Sequence, residues 1–186
     1  MNVRDKLIEI YGPKILNGTA LRDDYQPLLG FLAKADIRGP IVEIGTWKGA
    51  STVLLAQYAN LVITFDPYPL PMCSGVWERM GVAHKIRRVR VPEGMTADVS
   101  DVDFDFAFID GDHHFEQVVR DFEAVRHCGK VMFHDYAHPD CPGVTAVVDA
   151  LDRQRDDTWG MLGREYVEPG GSVDREGTAA LWLAHE

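Results

Sequence analysis

From Ile41 to Arg153, short apolar runs of strand type alternate with helical patterns, and this alternation constrains the fold more than any other feature. The strand-type runs are Ile41 to Ile44, Leu61 to Phe65, Ile86 to Val91, Phe104 to Ile109 and Lys130 to His134. Between and after them, Ser51 to Tyr58, His114 to His127 and Gly143 to Arg153 read as helices. In the second of these, Phe115, Val118, Val119, Phe122 and Val125 share one face. Strands separated by helices pair in parallel and bury both faces of their sheet. The expected class is therefore α/β, a Rossmann-like, mainly parallel sheet with helices on both faces. Trp159 to Val167 and Thr178 to His185 flank a connection with no helical pattern. They predict a C-terminal hairpin, so that the sheet ends in one antiparallel strand.

Upstream, Leu21, Tyr25, Leu28, Leu29 and Leu32 recur at spacings of three and four, an amphipathic helix that Arg38-Gly39-Pro40 ends. Residues 1–38 are read as a helical cap on a core of 40–186, within one domain. Pro67 to Gly81, with Met72, Trp77 and Met80, reads as a loop or a loop plus short helix. Its apolar residues serve either to cap the core or to meet substrate.

Composition narrows the function. The 186 residues are 46 % hydrophobic and 26 % charged, which excludes disordered and fibrous classes. A net charge of −10 argues against a broad phosphate-binding surface, so nucleic acid is not expected as a partner. Cys73, Cys128 and Cys141 are too few and scattered for a disulfide framework or a cysteine-based zinc site. Free thiols and the lack of an apolar run near the roughly 18 residues of a membrane span point to the cytoplasm, with no membrane contact.

Four motifs carry chemistry. In Ile41-Val-Glu-Ile-Gly-Thr-Trp-Lys-Gly-Ala-Ser51, a strand runs into Glu43-x-Gly45, a turn holds Gly49, and Ser51 opens the next helix. Glycines let backbone pass close to a ligand, and a helix N-terminus offers unpaired amides. The three-glycine fingerprint of dinucleotide binders is absent, and the acid suits a cationic ligand better than a pyrophosphate. Asp66, seventeen residues after Gly49 at the tip of the second strand, stands where an acid accepts ribose hydroxyls. Asp110, Asp112 and His113 lie where the fourth strand runs out, and His134 and Asp135 at the tip of the fifth. Ligands of open α/β sheets bind at these carboxyl ends. Asp110 and Asp135 can converge there on a hard ion such as Mg2+, while His134 adds a nitrogen better suited to a transition metal. The bland alternatives are capping for Asp112 and an imidazole hydrogen-bonded within the site for His134.

In their order along the chain, Glu43-x-Gly45-x-x-x-Gly49-x-Ser51, Asp66, Asp110-Gly-Asp112-His113 and His134-Asp135-Tyr136 resemble the class I S-adenosylmethionine-dependent methyltransferases. Within them the chain is similar to a bacterial group with an Asp-Gly-Asp-His motif, related to metal-dependent O-methyltransferases that act on antibiotic sugars. The resemblance covers about residues 40–150. It implies a seven-stranded sheet with the last strand antiparallel. It implies that Glu43, Gly45, Thr46, Gly49 and Ser51 hold the methionine part of S-adenosylmethionine, with Asp110 beside them, and that Asp66 and Pro67 meet its ribose. Adenine would lie near Glu93-Gly94-Met95-Thr96, where the family's Gly-Asp-Ser pattern is missing. It also implies a divalent ion, Mg2+ in the relatives, on Asp110, His134 and Asp135, and a base at His113 or Asp112, with His113 preferred for its near-neutral titration.

The expected activity is methyl transfer to a small-molecule hydroxyl of sugar, phenol or natural-product type. The alternatives are a metal-dependent hydrolase or oxygenase on the same cluster, and a non-catalytic cofactor-binding domain. The short chain is compatible with a small substrate, an open site for a bulky one, or a pocket completed by a second subunit through residues 1–35, and the base rate for oligomers favours a homodimer.

Overall fold

The computed structural model describes residues 2–17, 19–21, 25–68, 72–153, 159–162 and 178–184. Two helices open the chain, α1 (Val3–Tyr11) and α2 (Tyr25–Lys34), with a 3-10 turn over Pro13–Leu16 between them. Strand β1 (Ile41–Ile44) leads to α3 (Ala50–Leu55), and β2 (Val62–Asp66) to α4 (Met72–Met80). Strands β3 (Ile86–Arg90) and β4 (Phe106–Ile109) follow, then α5 (Phe115–Val125), β5 (Lys130–Tyr136) and α6 (Pro142–Arg153). Strands β6 (Trp159–Leu162) and β7 (Thr178–Ala184) close the order.

The parallel strands stand in the order β3-β2-β1-β4-β5. Beyond β5 the sheet continues with β7 and then β6, each antiparallel to its neighbour. The connection between β6 and β7, the expected strand ends at 163–167 and His185 lie outside the described residues. Strand order reverses between β1 and β4, and such a reversal opens a crevice at the carboxyl ends of the strands.

Alternation along each strand sends successive side chains to opposite faces. Ile41, Val62, Phe106, Phe108 and Met132 face one side, where they pack with Leu7, Leu16, Leu21, Leu28, Phe31 and Leu32 of the N-terminal cap and with Val53 and Trp77. Val42, Ile63, Phe65, Ala107, Val131 and Phe133 face the other, against Val118, Phe122 and Val125 of α5 and Val144, Val147 and Val148 of α6. The cap thus belongs to the core of one face.

One sequence expectation needs correction. Phe115 does not join the apolar stripe of α5: it opens the helix, half exposed, while Val118, Phe122 and Val125 are buried. The segment after β2 holds the helix of the expected loop-plus-helix form, α4, and residues 69–71 lie outside the described residues. Cys73, Val76, Trp77 and Met80 are buried, so its apolar residues cap the core. Trp77 also reaches the first turn, its Nε1–H donating to Gly49 O at 3.1 Å.

Candidate active site

The site begins with two turns that lock together. The Asp110 N–H donates to Ile44 O at 2.8 Å, and the Gly45 N–H to Phe65 O at 2.8 Å. Gly45 has φ +97°, and a Cβ there would lie 1.9 Å from Asp110 O. Only glycine lets the tips of β1 and β4 approach so closely. Gly49, with φ +74°, caps α3, and a Cβ on it would meet the Trp77 indole at 2.5 Å.

Asp66 closes the next layer. Its Oδ2 accepts the N–H of Thr46 and of Trp47, both at 2.9 Å, and its Oδ1 accepts the N–H of Tyr68 at 2.7 Å. A carboxylate has about four acceptor sites, so three backbone amides leave about one for a ligand hydroxyl. Asp66 is therefore first a clasp on the turn after β1, and second a lining group.

The clasped turns enclose a cavity of about 260 Å³. Gly45, Asp66, Pro67, Gly94, Met95, Asp110 and Asp112, all expected from sequence, line it. Glu43, Thr46, Gly49 and Ser51 do not. Thr46 Oγ1 pairs with Thr64 Oγ1 at 2.6 Å, and Thr52 Oγ1–H donates to Glu43 Oε2 at 2.6 Å. Glu43 Oε1 finds no well-aligned donor. Burial pushes the Glu43 carboxyl up to about 7, against the hydroxyls of Thr52, Thr64 and Ser51, which favour its ionised form.

Sequence reasoning missed Gln117 and Asp121 on α5. Both line the cavity and both are buried. The Gln117 amide donates to Asp121 Oδ1 at 2.8 Å, and burial pushes the Asp121 carboxyl up to about 6. Polar residues four apart beside the stripe Val118, Phe122 and Val125 were the available signal. Trp47 and Tyr68 were also missed; with Met95 they form an exposed apolar rim on the cavity.

The β4 and β5 tips meet beside this cavity. Between Phe133 and Tyr136, β5 carries one residue more than β7, and Asp135 has φ +57°. In an unbroken strand His134 and Asp135 would face opposite ways; the bulge brings both to one place. His134 Nδ1 lies 3.0 Å from Asp110 Oδ1 and 3.0 Å from Asp135 Oδ2. His113 Nε2 lies 3.0 Å from the same Asp135 oxygen. Burial would raise the Asp135 carboxyl, but His113 and His134 outweigh it and hold the group well below the usual carboxylate range. Asp135 in turn raises the His113 imidazole, against the effect of burial. Cys141, which sequence reasoning set aside, is buried within reach of His113 and Asp135. Asp112 accepts the N–H of His114, the residue just ahead of α5, at 2.9 Å, and bonds no amide of the helix itself, so it does not cap α5 as its alternative reading expected. Of the two expected bases, Asp112 lines the cavity and His113 does not.

A model of a methyltransferase domain matches residues 42–136, the span from β1 to the tip of β5 that builds the site. The chain belongs to the methyltransferase domain family. No curated protein sequence matches it. Solved structures share the methyltransferase's fold. The O-methyltransferase TomG from Streptomyces achromogenes, involved in tomaymycin synthesis and solved with SAM, has a TM-score of 0.58 at 20 % identity, over 99 % of this chain and 88 % of its own. An O-methyltransferase from Bacillus cereus in complex with SAH gives 0.63 at 16 %, over 99 % and 97 %. An rRNA methylase from Streptococcus thermophilus gives 0.63 at 14 %, over 84 % and 93 %. The chain is a methyltransferase-domain protein in family and shares the fold of these enzymes. Among the described residues no helix is long and apolar enough to cross a membrane.

Proposed function

We propose that this methyltransferase transfers the methyl group of S-adenosylmethionine to a hydroxyl of a small molecule. The observation that carries the reading is the cavity itself. Its walls pair apolar groups (Ile44, Phe65, Val91, Ala97) with the carboxylates of Asp66, Asp110, Asp112 and Asp121. That lining fits a cationic cofactor with an apolar base and a polyol. Asp66 has acceptor capacity for a ribose hydroxyl, and Gly94 and Met95 border the space expected to take adenine. Glu43, Thr46, Gly49 and Ser51 act from behind the wall by shaping the turn.

When bound, the cofactor supplies a methyl group already activated on a sulfonium. The chain must then hold the acceptor in line and accept its proton, and alignment alone can lower a barrier by roughly 7–11 kcal/mol. Asp112, on the cavity wall, is the group placed to take the proton. His113 points to Asp135 instead. The O-methyltransferases among the structural neighbours and the net charge of −10 favour a small acceptor over the nucleic acid of the rRNA methylase.

The Mg2+ implied by resemblance does not fit the residues present. Mg2+ takes near-octahedral oxygen ligands. Here an imidazole nitrogen stands between the two carboxylate oxygens at 3.0 Å from each.

Calorimetric titration of S-adenosylhomocysteine into the protein tests the cofactor site, and an acceptor screen with Asp112→Asn tests the base. Micromolar binding that Asp112→Asn keeps, with turnover lowered about 100-fold or more, is the expected result. Absence of binding sinks the methyl-transfer reading. Unchanged turnover removes Asp112 as the base.

A further inference from the structure

Asp135, expected to hold a divalent ion with Asp110 and His134, also faces His113 and Cys141. Cys141 immediately precedes α6, and the start of that helix is pressed onto the loop between β4 and α5. A Cβ on Gly143 would lie 2.3 Å from His113 O and 2.5 Å from Phe115 N. Glycine at this position lets Cys141 come beside His113. The β5 bulge turns Asp135 to the same point. His113 Nε2, Asp135 carboxylate oxygen and Cys141 Sγ then lie within 4.8 Å of one another. Ligands of a tetrahedral ion with bonds of about 2.0–2.3 Å stand roughly 3.3–3.8 Å apart, so small side-chain shifts suffice. His113 Nε2 is buried and 3.0 Å from Asp135 Oδ2, yet poorly aligned for an N–H···O bond. A nitrogen and an oxygen that face each other without a good hydrogen bond suit a shared cation.

We propose that His113, Asp135 and Cys141 bind a borderline divalent transition ion of the Zn2+ class. Nitrogen, oxygen and sulfur donors select such an ion over Mg2+. Three protein ligands leave its fourth position open. The Cys141 proton passes to solvent as sulfur binds the ion. His134, 3.0 Å from Asp135 Oδ2 and from Asp110 Oδ1, acts as a positioning residue that orients the Asp135 carboxylate. The proposal leaves Asp112 as the base and does not depend on the methyl donor.

The test uses the full chain, stripped with a chelator and titrated with Zn2+, Mg2+ and Co2+, no donor being present. One equivalent of Zn2+ should bind more tightly than Mg2+, and Co2+ should give a thiolate-to-metal charge-transfer band. Cys141→Ser should abolish that band and weaken Zn2+ by about tenfold or more, as should His113→Gln for affinity. Cys128→Ser should change neither. Circular dichroism of each variant separates loss of ligand from loss of fold. Zn2+ binding no tighter than Mg2+, a Co2+ spectrum without the thiolate band, or a folded Cys141→Ser that binds Zn2+ like the parent overturns the proposal. A failed S-adenosylhomocysteine titration would overturn the cofactor reading and leave this result standing.

Discussion

Glu43 shows what a single residue can cost. Its carboxyl is fully buried, and it titrates near 7 in the fold against about 4.5 in an unfolded chain. The folded state therefore holds more protons than the unfolded state between those values, and stability falls as pH rises through that window. The full difference is about 3 kcal/mol at about 1.4 kcal/mol per pH unit. Glu43→Gln keeps the shape and removes the titration. It should be more stable than the parent by about 1–3 kcal/mol at pH 8 and close to it near pH 4, read by urea unfolding at both. Gly45→Ala has the opposite character. A methyl 1.9 Å from Asp110 O, at a φ of +97°, should cost more than about 3 kcal/mol and lower the melting temperature at every pH. The sequence made these positions visible because acid and glycine fall together at a strand end. It left Asp66 half read: an acid at the second strand tip is visible, but its grip on three backbone amides depends on turns that a linear pattern does not display.

Elements explain the rest of what was readable and what was not. Five strand runs and three helices stand close to where periodicity puts them, since the helices bond their own backbones and bury one apolar stripe, and the strands, which bond to their neighbours, show the continuous apolar runs of a sheet covered on both faces. The cluster at the β4 and β5 tips was only half legible. Asp110, His134 and Asp135 are marked by their place at strand ends. The bulge that turns His134 and Asp135 together is set by pairing with β7, more than forty residues downstream. Cys141 joins only because α6 docks through Gly143. Gly143→Ala is thus a test at the scale of elements. It should lift the start of α6 from the His113 loop and cost about 1–3 kcal/mol, while circular dichroism keeps its helix and strand signal.

For the whole molecule, the cap decides how the chain unfolds. Leu7 is fully buried in the cluster that also holds Phe106 and Met132 of the sheet. A cap sharing the core should not melt separately. Leu7→Ala should cost about 2–4 kcal/mol, and urea unfolding should remain one transition by tryptophan fluorescence and circular dichroism alike. A separate early transition would show the cap to be an accessory layer.

The Asp66 clasp has a further consequence. One carboxylate both fastens the amides of Thr46, Trp47 and Tyr68 and borders the cavity. Whatever ligand engages it must also favour the closed form of those loops, because opening them would take the carboxylate away from the ligand. Binding and local opening then share one free energy. Deuterium should enter these three amides more slowly once the cavity is filled, and the slowing should track ligand affinity. The amides thereby become reporters of occupancy that need no knowledge of the acceptor.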